Sequence, residues 1–377
     1  MVSDTGAVVS RLAVTVLIHV LLNAAFPSSR VVSFVTALLV AAVISQSPMF
    51  LRWRQRLASM AADPGTSSQL SSRLQLTSAL NEMRQYLARA KASNDKKRQL
   101  FKTMSWRQQK IVAETGYSAK IKTADALVAE NYKVLQKTIA QAVDKYDVSR
   151  FELNSAVANA RHHPNSSHHR VVEALCHFAR DWSPAYDKEV QPILQYITSQ
   201  LKTLDLKQTT VVVPGSGLGR VAHELALLGP QHVVAVEYSW YMLLLNEFVY
   251  SDNKDSYKIY PYTPANLPAS PHHMAIVTCF FIDTAENLMD YFDAIGRLAD
   301  AATGDVLWIN VGPLKYGTAA KAELNYEEIK KLRDLCGWQL VNERPEPEIL
   351  GYLTDTLGLW QGYYGVTMWT CKRRREE

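Results

Sequence analysis

The chain reads as an α/β protein, a parallel doubly wound sheet preceded by a helical region. Two observations predict this. After Lys207, runs rich in β-branched residues alternate with amphipathic runs, which is the grammar of stacked strand–helix units. Between about Leu74 and Lys202, apolar residues instead recur at spacings of three and four with no strand alternation.

The elements follow in order. Residues 1–60 are apolar: LAVTVLIHVLLNAAF spans Leu12–Phe26, and VVSFVTALLVAAVISQSPMFL spans Val31–Leu51. Only Arg30 is charged between Leu12 and Leu51, and the second stretch is long enough to cross a bilayer. Arg52, Arg54 and Arg56 follow at once. A basic cluster directly after an apolar span retains the following domain in the cytosol. The expectation is a membrane anchor through residues 12–51 with a cytosolic body, or a wholly cytosolic protein if that segment is not part of the natural product. A cleaved signal peptide would send the body to an oxidising lumen. The four cysteines, Cys176, Cys279, Cys336 and Cys371, are far apart and suit a reducing compartment.

Residues 61–73 read as a linker, from the small polar run ADPGTSSQLSS. Residues 74–205 form the helical region, with ALVAENYKVLQKTIAQAVDKY as its clearest helix. NARHHPNSSHHR interrupts it, and VVEALCHFARDW and KEVQPILQYITSQL resume it. Residues 206–374 carry the alternation: TTVVVP, RVAHELALLG, HVVAVE, WYMLLLNEFVY, MAIVTCFF, AENLMDYFDAIGRLAD, DVLWINV and YEEIKKLRDLCG, then a last strand in GYYGVTMWTCKRRREE.

Composition excludes several classes. The net charge of +5 is mild and gathers on no dense basic face, so no nucleic-acid partner is expected. No CxxC pair exists, and the pairs His162/His163 and His168/His169 sit on a polar loop without a nearby carboxylate, so no metal is expected. A homodimer is compatible with the sequence.

The stretch VVVPGSGLGR, residues 211–220, carries the chemistry. Gly215, Gly217 and Gly219 follow a buried strand and precede a helix, so the main chain can turn sharply and a ligand can approach it. The position where a dinucleotide fingerprint wants its last glycine is Arg220, and no Gly-Lys-Ser/Thr ending follows. The opening is poor for phosphates, which disfavours a nicotinamide oxidoreductase. The next strand ends in Glu237, placed to accept from both ribose hydroxyls of a nucleoside. A glycine loop without phosphate features, followed by that acid, predicts S-adenosylmethionine as cofactor. The bland alternative is a structural turn beside a surface glutamate.

Longer segments sharpen the reading. VPGSGLGRVAHELALLG, EYSWYMLLLNEF, VTCFFIDTAENLMDYFDAIGRL, WINVGPLKY and HFARDWS resemble the carnosine N-methyltransferase family over roughly residues 120–372. The resemblance implies a Rossmann-like class I methyltransferase sheet with a helical N-terminal region, acting on a small-molecule acceptor such as a histidyl dipeptide. It implies that Arg180 reaches the methionine carboxylate of the cofactor and that Gly215, Gly217 and Glu237 bind the rest. It implies that Asp283 contacts the acceptor imidazole and that Tyr316, Tyr363 and Tyr364 line the acceptor pocket. Without the resemblance, Arg180 reads as a helix-surface ion-pair partner, Asp283 as a helix N-cap, and the tyrosines as core.

Two positions depart from the family's pattern. Gly317 stands where the family has a histidine after the tyrosine of its GPLxY segment. Between KIYPY and MAIVTCFF this chain has only TPANLPASPHH, where the family carries a longer stretch with a Gly-Asp-Phe element on the adenine side. The second departure keeps open a rival expectation, a non-catalytic methyltransferase-like protein tethered to a membrane.

Overall fold

A computed structural model describes residues 64–153, 168–251, 259–261, 271–344, 347–354 and 361–374. The apolar stretches 12–26 and 31–51 and the pair His162/His163 lie outside the described residues. Among the described residues, no helix is long and apolar enough to cross a membrane, and no group of three His, Cys, Asp or Glu side chains is placed to hold a metal ion.

The chain divides into two compact units, Met1–Ser78 with Asn154–Pro164, and Ala79–Leu153 with Asn165–Glu377. In the first unit, the described residues form the start of helix α1 (Pro64–Lys102). The helix begins inside the stretch that reads as a linker. Proline is tolerated in a first helical turn because its missing N–H would have no partner there. In the second unit, the helices from Ala79 onward belong with the sheet, although the sequence separates the two at residue 205.

That unit continues with α2 (Trp106–Glu114), α3 (Tyr117–Lys145), α4 (His168–Trp182) and α5 (Asp187–Leu201). A reciprocal cap starts α2, in which Ser105 and Gln108 satisfy each other's backbone N–H groups. Strands and helices then alternate: β1 (Thr209–Pro214), α6 (Arg220–Leu227), β2 (His232–Glu237), α7 (Trp240–Tyr250), β3 (Ile259–Pro261), β4 (His273–Cys279), α8 (Leu288–Asp300), β5 (Val306–Gly312) and α9 (Tyr326–Leu335). The chain closes with β6 (Trp338–Glu343), β7 (Glu348–Tyr352) and β8 (Gly362–Arg373).

The sheet runs β3-β2-β1-β4-β5-β8-β6, with β7 also paired to β8. Strands β1 to β5 are mutually parallel. The last strand departs from the all-parallel expectation: β8 enters between β5 and β6 and runs antiparallel to both. Strand order reverses beside β1, where α/β sheets open a crevice at their carboxyl ends.

Alternation with period two sorts the buried residues onto two faces. Val211, Val213, Ala275, Val277, Ile309 and Val311 face α5 and α6, against Ile193, Ile197, Leu201 and Leu225. Val212, Ile276 and Trp308 face α8 and α9, against Phe292, Ile295 and Ile329. The second face is centred on Trp308, whose ring lies 4.8 Å from Phe292, 5.1 Å from Trp338 and 4.8 Å from Trp369. Its indole N–H donates to Thr278 at 2.9 Å, and Thr278 donates in turn to Asn310 at 2.8 Å. That chain of bonds ties β4 to β5 just below the strand ends.

Candidate active site

The glycine loop is built by positive-φ residues. Gly215, Gly217 and Gly219 have φ of 63°, 54° and 81°, a region that other residues enter only at a cost. Their surroundings differ. A Cβ on Gly215 would collide with the Phe281 ring, and one on Gly219 with the Asn246 side chain. A Cβ on Gly217 would meet nothing within 4 Å. The first and third glycines therefore serve packing, while the second faces open space at the crevice.

Glu237 anchors this loop to β2. Its Oε2 accepts the Gly217 N–H at 2.8 Å, and its Oε1 accepts the Tyr238 and Ser239 N–H groups at 2.7 Å each. A carboxylate has about four acceptor positions. Three are used, so Glu237 as placed offers one further acceptor on Oε2, not the pair expected for two ribose hydroxyls.

Arg220 has a role that its sequence position hid. Its guanidinium donates to the Asp181 carbonyl at 2.7 Å, to Glu224 at 2.8 Å and to Asp187 at 3.3 Å, and lies 5.6 Å from the Trp182 ring. The Trp182 indole N–H donates to the Leu218 carbonyl at 3.1 Å. The end of α4 is thus stapled onto the glycine loop, which carries Arg180 to the crevice.

Arg180 is buried, at 7% exposure. Its Nη1 lies 3.4 Å from Asp181 Oδ1, while Nε and Nη2 are buried and have no hydrogen-bond partner. Its guanidinium rests against two aromatic rings, 5.0 Å from Phe280 and 4.8 Å from Tyr352. It is not a surface ion-pair residue. A buried guanidinium edge with two unpaired donors fits a carboxylate, the group whose geometry matches the fork. Its charge is felt nearby. Burial first, then Arg180, pulls the His177 pKa down to about 4, so that imidazole is neutral near neutral pH. Burial pushes the Asp181 carboxyl up to about 6 against the opposing pull of Arg180 and Arg220.

At the end of β4 the backbone turns through Phe280, a non-glycine residue at φ 52°. Such a residue is strained by about 1–2 kcal/mol. Its N–H donates to the Val311 carbonyl at 2.8 Å, and a Cβ at Gly312 would lie 3.1 Å from that nitrogen, so the glycine after Val311 admits the turn. The turn sends Phe280 to the α5 side and Phe281 beneath Gly215.

Asp283 follows in a short 3₁₀ turn, Ile282–Thr284. It does not cap α8, which begins at Leu288 after Asn287. Its Oδ2 accepts the Lys315 N–H at 3.0 Å, which joins the end of β4 to the loop after β5. Burial raises its pKa above the ordinary carboxylate value, opposed by that hydrogen bond, by a second from its own backbone N–H and by the Lys315 charge.

The three tyrosines separate. Tyr364 lies at the crevice, with its ring 5.9 Å from Phe280 and 5.6 Å from Tyr352. Tyr316 packs on the opposite face of the sheet and donates its hydroxyl to the Leu324 carbonyl at 2.9 Å, bracing its own loop. Tyr363, adjacent to Tyr364 on a strand, points the other way, is 60% exposed and bonds Gln361 at 3.1 Å. Tyr352 joins the site unforeseen, with its hydroxyl 3.1 Å from the His177 ring nitrogens. Buried Glu189 holds it there by accepting the Leu353 and Thr354 N–H groups at 2.8 Å each. A lone glutamate in KEVQPIL carries no sequence signal for that task.

The sequence model of the carnosine N-methyltransferase family matches residues 158–270 and 268–375. The break between the two pieces falls where the stretch before Met274 is short. Among curated proteins, an uncharacterized protein of Saccharomyces cerevisiae is 31% identical over 245 residues, covering 52% of this chain and 53% of that protein. The carnosine N-methyltransferase of Rattus norvegicus is 26% identical over 327 residues, covering 72% of this chain and 79% of the rat protein. The chain thus spans about half the length of the yeast relative and about four fifths of the rat one. A similar solved structure is magnesium protoporphyrin IX methyltransferase from Synechocystis PCC 6803 with bound SAM, at a TM-score of 0.35 and 12% identity, covering 54% of this chain and 97% of that one.

Proposed function

Because the chain belongs to the carnosine N-methyltransferase family, a family of S-adenosylmethionine-dependent methyltransferases, we propose that it transfers a methyl group to an imidazole nitrogen of a histidyl dipeptide or a similar small molecule. What supports the reading is two buried polar groups beside the end of β4, one against the Phe280 ring and one three residues after it. Arg180 has an unpartnered guanidinium edge, and Asp283 is a carboxylate held by the Lys315 backbone N–H and by its own.

The residues fit the cofactor. Arg180 would take its amino-acid carboxylate, Gly217 leaves its main chain open to close approach, and Glu237 retains one acceptor for a ribose hydroxyl. When bound, S-adenosylmethionine supplies an electrophilic methyl group. The chain's own task is to present a neutral nitrogen with a free lone pair. Asp283 keeps acceptor capacity beyond the Lys315 bond and can receive one imidazole N–H. That bond selects the tautomer whose other nitrogen is unprotonated, and it fixes the ring plane. Positioning of this kind is the main lever for a displacement that needs no covalent enzyme intermediate. The raised proton affinity of Asp283 lets it share the proton as the ring becomes cationic.

Asp283→Asn tests this reading. The amide oxygen still accepts the Lys315 N–H, so the loop is kept, but the anionic partner is lost. Turnover of carnosine is expected to fall by about a thousandfold with S-adenosylhomocysteine affinity retained. Wild-type turnover should also fall on acidification at a pH above that of an ordinary carboxylate. Full turnover by the variant would remove Asp283 from the acceptor site.

One observation favours a second reading, a non-catalytic methyltransferase-like protein. The rat alignment runs over 327 positions yet uses 72% of this chain, so several tens of positions have no counterpart here. Titration of S-adenosylhomocysteine separates the two readings, because the non-catalytic protein requires no cofactor binding.

A further inference from the structure

Lys315 stands beside the acceptor site and is used only in part. Its backbone N–H is committed to Asp283 at 3.0 Å. Its side chain turns elsewhere: Nζ lies 3.5 Å from the Tyr364 hydroxyl and 5.4 Å from the centre of that ring. Among the described residues, no carboxylate lies within ion-pair distance of this ammonium. It is exposed.

The walls around it are specific. Tyr364, Tyr352 and Phe280 pack on one another with ring centres 5.6 Å, 5.9 Å and 6.4 Å apart. Arg180 lies against the Phe280 and Tyr352 rings, at one end of this aromatic group. Lys315 lies against Tyr364, at the other end. The crevice therefore carries two separate cationic ends, with an acidic group, Asp283, one hydrogen bond from the second. One bound carboxylate, that of the cofactor, accounts for Arg180. It leaves the Lys315 ammonium, whose charge reaches Asp283 but which makes no ion pair among the described residues, open to a second carboxylate.

We infer that Lys315 is the specificity-determining anchor of the acceptor: with the Tyr364 hydroxyl beside it, its ammonium receives a carboxylate carried by the imidazole-bearing substrate. The inference rests on the acceptor reading above and deepens it. Asp283 reads the imidazole N–H, and Lys315 reads the far end of the same molecule. An acceptor lacking the carboxylate keeps its reactive nitrogen but loses its second point of attachment. Lys315 thus acts in binding, and the rate of the bound complex is left to Asp283.

The test compares carnosine with carnosine amide as acceptors for the full chain, with KM and kcat measured separately. The wild-type protein is expected to show a KM for carnosine about fivefold lower than for the amide, the size of a rim charge pair in solvent. Lys315→Met keeps the backbone N–H and the length of the side chain. It should erase that preference, read as the ratio of the two KM values, while S-adenosylhomocysteine affinity stays unchanged. Lys315→Arg should retain the preference. Equal KM for the two acceptors in the wild type, or a preference that survives in Lys315→Met, would overturn the anchor and leave the imidazole reading standing. Failure of the wild type to methylate either acceptor would overturn the acceptor reading and the anchor with it.

Discussion

Replacing Arg180 with methionine tests the cofactor end of the crevice most directly. The guanidinium is 7% exposed, and two of its nitrogens, Nε and Nη2, lack hydrogen-bond partners. A carboxylate arriving there makes two charge-assisted hydrogen bonds without breaking existing ones. Each such bond is worth roughly 1.5–3 kcal/mol, and desolvation of the incoming carboxylate offsets part of the sum. A net loss of about 3 kcal/mol follows for Arg180→Met, or roughly a hundredfold in Kd. Isothermal titration with two ligands isolates the effect. S-adenosylhomocysteine carries the amino-acid end, and methylthioadenosine does not. The wild type should bind the first much more tightly than the second, and Arg180→Met should bind both alike. Arg180→Lys should fall between, because an ammonium supplies charge without the planar fork. Thermal melting of Arg180→Met should not drop sharply, since the change removes a buried cation whose one acidic contact among the described residues is Asp181 at 3.4 Å. If Arg180→Met bound S-adenosylhomocysteine within about threefold of wild type, the assignment of this guanidinium to a ligand carboxylate would be wrong.

Two further outcomes follow from the same geometry. Gly217→Ala should cost about 1 kcal/mol of stability from its positive φ, yet weaken S-adenosylhomocysteine by more than tenfold, because its Cβ enters the open crevice. Gly215→Ala should instead damage folding through Phe281; a Gly217→Ala variant with unchanged affinity would remove the loop from the cofactor site. Asp181 and His177 should produce opposite pH dependences. The folded chain holds the Asp181 proton up to about pH 6, above the ordinary 3.8, so this group's contribution to stability falls as pH rises from about 4 to about 6. The folded chain releases the His177 proton down to about pH 4, below the ordinary 6.5, so its contribution falls as pH drops through that range. Each amounts to about 3 kcal/mol, and they offset one another. Denaturation between pH 4 and 7 should therefore be nearly flat in the wild type and slope downward on acidification in Asp181→Asn; a flat Asp181→Asn profile would contradict the burial argument.

Much of the sheet was legible because its strands are buried on both faces and therefore contiguous in β-branched residues, as in TTVVVP and MAIVTC. The glycine loop was legible for a similarly local reason: a strand, three alternating glycines and a helix lie within one short stretch. The Asp283 position was legible only through the CFFIDTA segment, since an aspartate ahead of a helix otherwise reads as a cap. The structure separates those alternatives by starting the helix at Leu288, beyond its reach. The tyrosines were less legible. Tyr363 and Tyr364 are adjacent in sequence, and strand alternation sends only one of them to the crevice.

The sequence by itself determined the alternation of the longer strands and helices but not the strands Ile259–Pro261, Trp338–Glu343 and Glu348–Tyr352, together with the parallel core of the sheet, the glycine turn and the family, because each depends on residues close together in the chain or on long matched segments. Tertiary structure alone decided how distant groups combine. It set β8 antiparallel between β5 and β6, because that edge is closed by a returning strand and not by a crossover helix. It turned Arg220 from a missing glycine into the staple that carries Arg180, brought Tyr352 into the crevice on a carboxylate from α5, and left Lys315 facing Tyr364. None of these follows from spacing, because each joins residues that become neighbours only when the strand ends converge.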